Sequence, residues 1–546
     1  MRTRTVNDQL SVLSGSSLTR VAIGRTTPGG RFVHCCPSLQ DQELAVDTQD
    51  ALEPRAGDAR PSEVPETSRR RSAAVLFAAA AVLGGLATCY LALAGPSLGS
   101  HLAAPDLWFY EPKPRFIADR LASEHAQLAN AVALVTWAVG WLLAGLAVWR
   151  GGSGRALLLV GVVWVLPLLL APPLFSPDAY AYTAIGAAIH HGVDPYLAGP
   201  GAAGDIPAVR GAEPFWRNSP TPYSPPFLAL LGGLSRFFGE DLLSVLVALR
   251  VISVAAWASL AFSVGRLAER CGTDRRQAVW LGVVNPLVLV NAVSANHNDV
   301  LMMALVVPGL LLASADRPVW GALLCGLGAG VKVVALAALL VIGADLAQRQ
   351  AHWLGRLRAL ALVGGVGTGA FVLLSELSGF GWGWLGTLSV PGRSTEPTAP
   401  ANALAFVLDA DNPPLDTVRL AFSGAGALLC LLLLTRLRAW GPGRVTAWVL
   451  LVVVLVGPIL WPWYWMWPVM VFAAAGRPRE RSLLAASSVV MLLVTLPGGQ
   501  PTLSGLGRPL ADRLVLGSLA AVLLGYAAVY VLTFLRSRRS TSLAAS

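Results

Sequence analysis

Asp178 is the first residue in the chain with a case for chemistry. It lies in Phe175-Ser-Pro-Asp-Ala-Tyr-Ala-Tyr182, directly after an apolar segment suited only to a membrane. Ser176 is a favourable helix N-cap, and Pro177 suits the first helical position. Asp178 then falls in the first turn, where backbone N–H groups and the helix dipole favour a carboxylate. Tyr182 lies one turn on, on the same face, with Tyr180 between them. The stretch reads as a short interfacial helix that holds an ionised aspartate over a cavity between transmembrane helices. Asp194-Pro195-Tyr196 follows as a turn, and His190 and His191 read as polar-face residues of the helix. The plainer alternative is that Asp178 only completes a helix start.

Two more polar constellations interrupt apolar runs: His297-Asn298-Asp299 and Lys332. Charged groups at membrane depth are expensive and tend to face cavities and one another. Asn296 to Asp299 also has the spacing of an N-cap followed by an acidic third position, although capping does not ask for His297. Lys332 has the alternative of snorkelling to the headgroups. Tyr223, in the proline-rich Asn218–Pro226 segment, is a further contact candidate. Arg393, with Glu396, is either a phosphate contact or a solvated charge. Trp461-Pro-Trp-Tyr-Trp-Met-Trp467 reads first as an interfacial aromatic belt, and second as a surface for sugar or lipid.

A base, a hydrogen-bonding cluster and a cation at one membrane cavity suit transfer of a sugar from a lipid-linked phosphate. The departing phosphate needs a cation, which Lys332 can supply. The acceptor hydroxyl needs a carboxylate to take its proton, and Asp178 fits that part. A polyprenyl chain needs an apolar groove open to the bilayer. There is no Gly-rich phosphate loop after a strand, and no soluble domain to carry a nucleotide-sugar site.

The elements that must position these groups are read from composition. Of 546 residues, 55% are hydrophobic and 13% charged, with mean hydropathy +0.60, which is the balance of a polytopic membrane protein. The net charge of +10 sits in short clusters between apolar runs, as in cytoplasmic loops, so it does not imply nucleic acid. Lys113 and Lys332 are the only lysines, so a single arginine carries little meaning against such a bias. No spacing of the six cysteines resembles a zinc site or a disulfide framework, so no cysteine-held metal or cofactor is expected, while Asp178 with Asp194 could still make an oxygen-ligand site.

Residues 1–72 read as a disordered cytoplasmic tail ending in Arg69-Arg-Arg71, residues 73–535 as the transmembrane domain, and 536–546 as a short cytoplasmic tail. Spans are expected at about 73–94, 127–149 and 156–172, so that Asp178 emerges outside. Leu107–Tyr110, in the loop 95–126, is an aromatic anchor. Residues 227–238 are too short to span and read as interfacial or re-entrant. Spans follow at about 242–264, 277–294 and 298–314. The run 318–346 is expected to break into a hairpin at Lys332, permitted by Gly326, Gly328 and Gly330. Further spans lie at about 357–375, 416–435, 446–476 (broken near Trp461–Pro468), 482–497 and 511–535. This gives an all-α bundle of about 12–14 spans, with both termini and nearly every basic cluster inside.

The blocks SPDAYAYTAIGAAIHHGVDPYLAGP, TPYSPPFLAL, NPLVLVNAVSANHNDVLMMALVV, GAGVKVVALAALL and WPWYWMWPV occur in that order. Together they resemble the polyprenol-phosphomannose-dependent α-(1→6)-mannosyltransferases of actinomycetes, over roughly residues 75–535. The resemblance implies a GT-C-type, inverting integral membrane enzyme. It would use a polyprenyl phosphomannose donor and extend a lipid-anchored mannan (the lipomannan and lipoarabinomannan backbone) on the outer face of the plasma membrane. It would also make Asp178 catalytic and place Tyr180 or Tyr182, Asp194 to Tyr196, His297 to Asp299 and Lys332 in substrate binding. Where the family pattern has arginine before the catalytic aspartate this chain has Pro177, so that phosphate contact falls to Lys332 or Arg393. Competing readings are a GT-C enzyme with another donor, such as an arabinofuranosyl one, and a transporter or flippase of lipid-linked sugars. The transporter reading would call for internal repeats, and none is evident.

Overall fold

The computed structural model describes residues 66–94, 126–239, 241–393, 399–409 and 411–494. The expected tail up to residue 65, the loop with Leu107–Tyr110, Glu396, the span at 511–535 and the C-terminal tail lie outside the described residues. Among the described residues there is no strand. The principal helices are α1 (Glu66–Leu93), α2 (Ala126–Trp149), α3 (Gly154–Leu170), α4 (Asp178–His190), α5 (Pro225–Phe238), α6 (Leu242–Arg270) and α7 (Arg275–Gly282). They continue with α8 (Asp299–Ser314), α9 (Pro318–Ala329), α10 (Leu336–Gln348), α11 (Trp353–Ser378), α12 (Leu415–Leu434), α13 (Leu437–Val456), α14 (Pro462–Ala475) and α15 (Pro478–Val494).

The chain is an all-α polytopic membrane protein. Among the described residues six helices are long and apolar enough to cross a bilayer, or seven if α7 and Pro286–Ser294 form one span bent by 52°. That is fewer than the expected 12–14. Four apolar stretches fall short of the test: α3, α8, α9 and Val333–Gln348. Each adjoins a chain break that leads to a polar residue: α3 precedes Asp178, α8 opens on Asp299, and α9 and Val333–Gln348 flank Lys332. α1 begins at Glu66, so Arg69–Arg71 ride on its first turns rather than in a tail.

Small residues let the helices approach closely, as membrane packing requires. Trp164 lies over Gly84 and donates its indole N–H to the Ala80 carbonyl at 3.1 Å. Trp141 and Trp280 stack at 4.7 Å and each donates to the other's carbonyl, at 3.0 and 2.8 Å. Gly326 of α9 meets the Gly367 backbone of α11 so tightly that any Cβ would collide.

The hairpin at Lys332 is present. Its far ends meet through the Asp316–Arg349 pair at 3.1 Å, so α9 and α10 run antiparallel. The glycines act differently from expectation. The helix runs through Gly326 and Gly328, which serve close packing, and breaks only at Gly330–Lys332. The basic connections gather at one end of the bundle. Arg270 donates to the Ser314 carbonyl at 2.9 Å, Arg276 to the Gly152 carbonyl at 3.3 Å, and Arg438 to the Gln348 carbonyl at 2.9 Å. α8 runs from that end to the opposite one, where Asp299 sits.

Candidate active site

Four chain breaks converge at the end opposite the basic loops. The first follows α3. Pro172 and Pro173 cannot extend the helix ladder, and Phe175 adopts a left-handed backbone with φ 67°. α4 then opens at Asp178, one residue later than the N-cap reading, with Pro177 in the cap position. The Ser176 hydroxyl still accepts a bond from the Asp178 N–H at 3.2 Å. α4 is enclosed by protein: Asp178 through Ala188 are all buried, and Gly186 lies against Leu231 and Ser235 of α5. Asp178 itself is 8% exposed.

The second break precedes α8. A π-helical turn, Val290–Ser294, widens the backbone, and Asn296 adopts φ 56°. Such turns recur at functional sites. His297 Nδ1 comes to 3.2 Å from Asp178 Oδ2. The approach is close without being an aligned hydrogen bond, and the ring has no other polar partner among the described residues. Asn298 does not act as a side-chain cap; its carboxamide is buried without a partner among the described residues. Its backbone N–H points at the Tyr182 hydroxyl, 3.4 Å away.

The third break is the hairpin tip. Ser224 Oγ donates to the Ala329 carbonyl at 2.8 Å and Phe227 N–H to the Gly330 carbonyl at 3.0 Å, which pins the tip to the start of α5. Lys332 Nζ donates to Asp299 Oδ1 at 2.8 Å. The fourth break is the tryptophan run. Trp467 Nε1 donates to the same Asp299 oxygen at 2.7 Å, and Lys332 Nζ lies 4.5 Å from the Tyr464 ring centre. Trp463 stacks on His297 at 4.0 Å and on Trp461 at 5.0 Å. The run is therefore a wall of the site rather than a belt: Trp463, Trp465 and Trp467 are at most 8% exposed.

Asp178, His297, Asn298, Asp299, Lys332 and Tyr182 are thus brought together. Tyr223 joins them through its edge-to-face contact with Tyr182 at 5.5 Å. Tyr180 points elsewhere, packing with Leu242 and Leu246 of α6. The Asp194–Tyr196 turn is a brace. Asp194 is exposed and accepts from the Tyr196 N–H at 2.8 Å, while the Tyr196 phenol donates to the Tyr223 carbonyl at 2.9 Å. Burial, with the Asp194 charge beside it, holds that phenol protonated well above the ordinary tyrosine range. Arg393 is exposed on the turn Val390–Arg393 and makes no hydrogen bond or ion pair among the described residues. Sequence reasoning put the Trp461–Trp467 run second as a sugar or lipid surface and did not single out Trp463, Tyr464 and Trp467 as site residues. The available signal was the pair of prolines, Pro462 and Pro468, framing the run.

Comparison with known proteins finds two family domains in order along the chain. The alpha-(1->6)-mannopyranosyltransferase N-terminal domain matches residues 81–348, and the MptB C-terminal domain matches residues 398–535. The first match contains Asp178, His297–Asp299 and Lys332; the second contains the tryptophan wall. Alpha-(1->6)-mannopyranosyltransferase A of Mycobacterium tuberculosis is 30% identical over 366 residues, covering 62% of this chain and 69% of the relative. A second alpha-(1->6)-mannopyranosyltransferase of that organism is 28% identical, covering 63% and 68%. Alpha-(1->6)-mannopyranosyltransferase A of Corynebacterium glutamicum is 30% identical, covering 45% and 53%. No solved structure matches the chain. Two domains matched in order, with a relative this similar over most of its length, place the chain in the actinomycete α-(1→6)-mannopyranosyltransferase family.

Proposed function

We propose that this protein transfers mannose from a polyprenyl phosphomannose donor to a hydroxyl of a lipid-anchored mannan, forming an α-(1→6) linkage. The observation that carries this reading is the meeting of Asp178 and His297 at 3.2 Å beside the Lys332–Asp299 pair. Asp178 takes the proton of the acceptor 6-hydroxyl as that oxygen bonds to the anomeric carbon. The bond from that carbon to the phosphate oxygen breaks, and the polyprenyl phosphate leaves with the electron pair. A single displacement needs one base and inverts the anomeric centre. Asp299 is committed to Lys332 and Trp467, which leaves Asp178 as the carboxylate for this role.

Lys332 spends one of three ammonium donors on Asp299 and keeps two for the donor's phosphate. The Asp299 partnership fixes where that ammonium points before substrate arrives, so no reorganisation is needed at the moment of transfer. Trp461 and Tyr464, both partly exposed, supply aromatic surface for the sugar or for the first isoprenes. The basic connections at the opposite end favour a cytoplasmic position for that end. Such an orientation favours reaction at the outer face of the plasma membrane and supports a place in lipomannan and lipoarabinomannan backbone synthesis.

The test is incubation of membranes containing the protein with labelled polyprenyl phosphomannose and a short α-(1→6)-mannoside. The expected result is a longer mannoside carrying label in a new α-(1→6) bond. Label moved only from an arabinofuranosyl donor, or label crossing the bilayer without a new glycosidic bond, would refute it.

A further inference from the structure

Arg250 is the only charged residue between Leu242 and Val264 of α6, and it is 6% exposed. Its guanidinium gathers two separate stretches of backbone. Nη1 donates to the carbonyls of Leu168, Leu169 and Ala171 at 2.8, 3.2 and 2.7 Å. Nη2 donates to the Ser294 carbonyl at 3.0 Å, and Nε to Asn296 Oδ1 at 3.1 Å. The first stretch ends α3, where last-turn carbonyls lack helical partners and two prolines follow. It leads directly to Asp178. The second ends the π-helical turn and leads directly to His297.

We infer that Arg250 is a positioning residue that sets the separation of Asp178 and His297. One planar fork satisfies acceptors on both stretches, so neither can shift without breaking bonds to the other. Arg250 touches no reacting atom; it acts through the two segments it ties. The inference rests on the proposed role of Asp178, beside which His297 lies at 3.2 Å. Lysine keeps the charge but presents a single point of three donors, which cannot span both stretches.

The experiment uses the full chain in lipid nanodiscs, comparing Arg250→Lys, Asn296→Gly, His297→Ala and Asp178→Asn. Asn296→Gly keeps a residue that tolerates φ 56° and removes the carboxamide, whose Oδ1 accepts from Arg250 and whose Nδ2 has no hydrogen-bond partner among the described residues. Arg250→Lys is expected to fold and to lower kcat roughly 10–100-fold, the scale of a 1 Å misplacement. The donor KM stays within about twofold, because the phosphate contacts are untouched. Asn296→Gly lowers kcat in the same direction by less. Added to His297→Ala, Arg250→Lys should cost little more, since the relation it guards is already gone. A purely structural role predicts a lower melting temperature with unchanged kcat per folded molecule, or losses that simply multiply; either overturns the inference. A cryo-EM map of Arg250→Lys gives a readout independent of transfer. The inference expects Asp178 and His297 to have moved out of contact, and an unchanged 3.2 Å approach overturns it. Wild-type transfer by Asp178→Asn would instead refute the proposed function, and the map would still decide the positioning claim.

Discussion

Trp463 lies face to face with His297, ring centres 4.0 Å apart and planes 20° from parallel. The contact joins the tryptophan run, late in the chain, to the Asp178 site built from its first half. It fixes the imidazole plane, and with it the edge that His297 presents to Asp178.

Asp178→Asn keeps size and burial but removes the base. Transfer is expected to fall about 10²–10⁴-fold, with normal membrane insertion. Steady-state rates on purified protein, beside its melting temperature, check this; an active mutant would remove Asp178 from the mechanism.

Trp463→Ala should lower kcat more than it raises the donor KM, because it frees the imidazole. Trp463→Phe retains a stacking face and should recover most of the rate. The stack contributes about 0.5–1.5 kcal/mol beyond burial. Equal loss in both variants would show that the indole, not the stack, matters.

Lys332→Met leaves Asp299 buried with one partner fewer. Breaking one side of a buried pair costs about 3–5 kcal/mol, and replacing both sides costs much less. The double variant Lys332→Met with Asp299→Asn is therefore expected to melt above either single variant while remaining poor in donor binding. Thermal unfolding in nanodiscs together with donor titration tests both halves of this statement.

Tyr196→Phe removes the bond to the Tyr223 carbonyl and should cost about 0.5–1.5 kcal/mol of stability with a modest loss of rate. The folded phenol ionises above the ordinary value of about 10. A raised folded value means full stability below pH ~10, lost only as pH climbs beyond it. The pH–rate profiles of Tyr196→Phe and wild type between pH 6 and 9 should therefore have the same shape, offset only by that loss.

Much of the site could be read from residue chemistry. Asp178, His297, Asp299 and Lys332 stand out because charge is rare in apolar runs, and the basic-loop rule correctly demands a hairpin at Lys332. Three things were hidden. That Tyr180 packs away from the site depends on α6, although helix spacing already put Tyr182 on the Asp178 face. α4 reads as interfacial because its burial comes from α5, Gly186 and the 200–212 segment folding over it, which its own residues do not announce. Arg250 was masked by composition: among so many arginines one more is unremarkable, although its place in the middle of a span distinguishes it.

The short hairpin has a consequence for where the lipid must go. α9 has 12 residues, so at 1.5 Å per residue it rises only about 18 Å from the basic end toward Lys332, against a hydrocarbon core of about 30 Å. Measured from the basic end, the ammonium therefore stops short of the far side of such a core. On the proposed function the donor's phosphate has to reach below the headgroups to meet it, so the rate should follow the donor's mole fraction in the leaflet. Dilution with inert phospholipid at constant bulk concentration would then slow the protein.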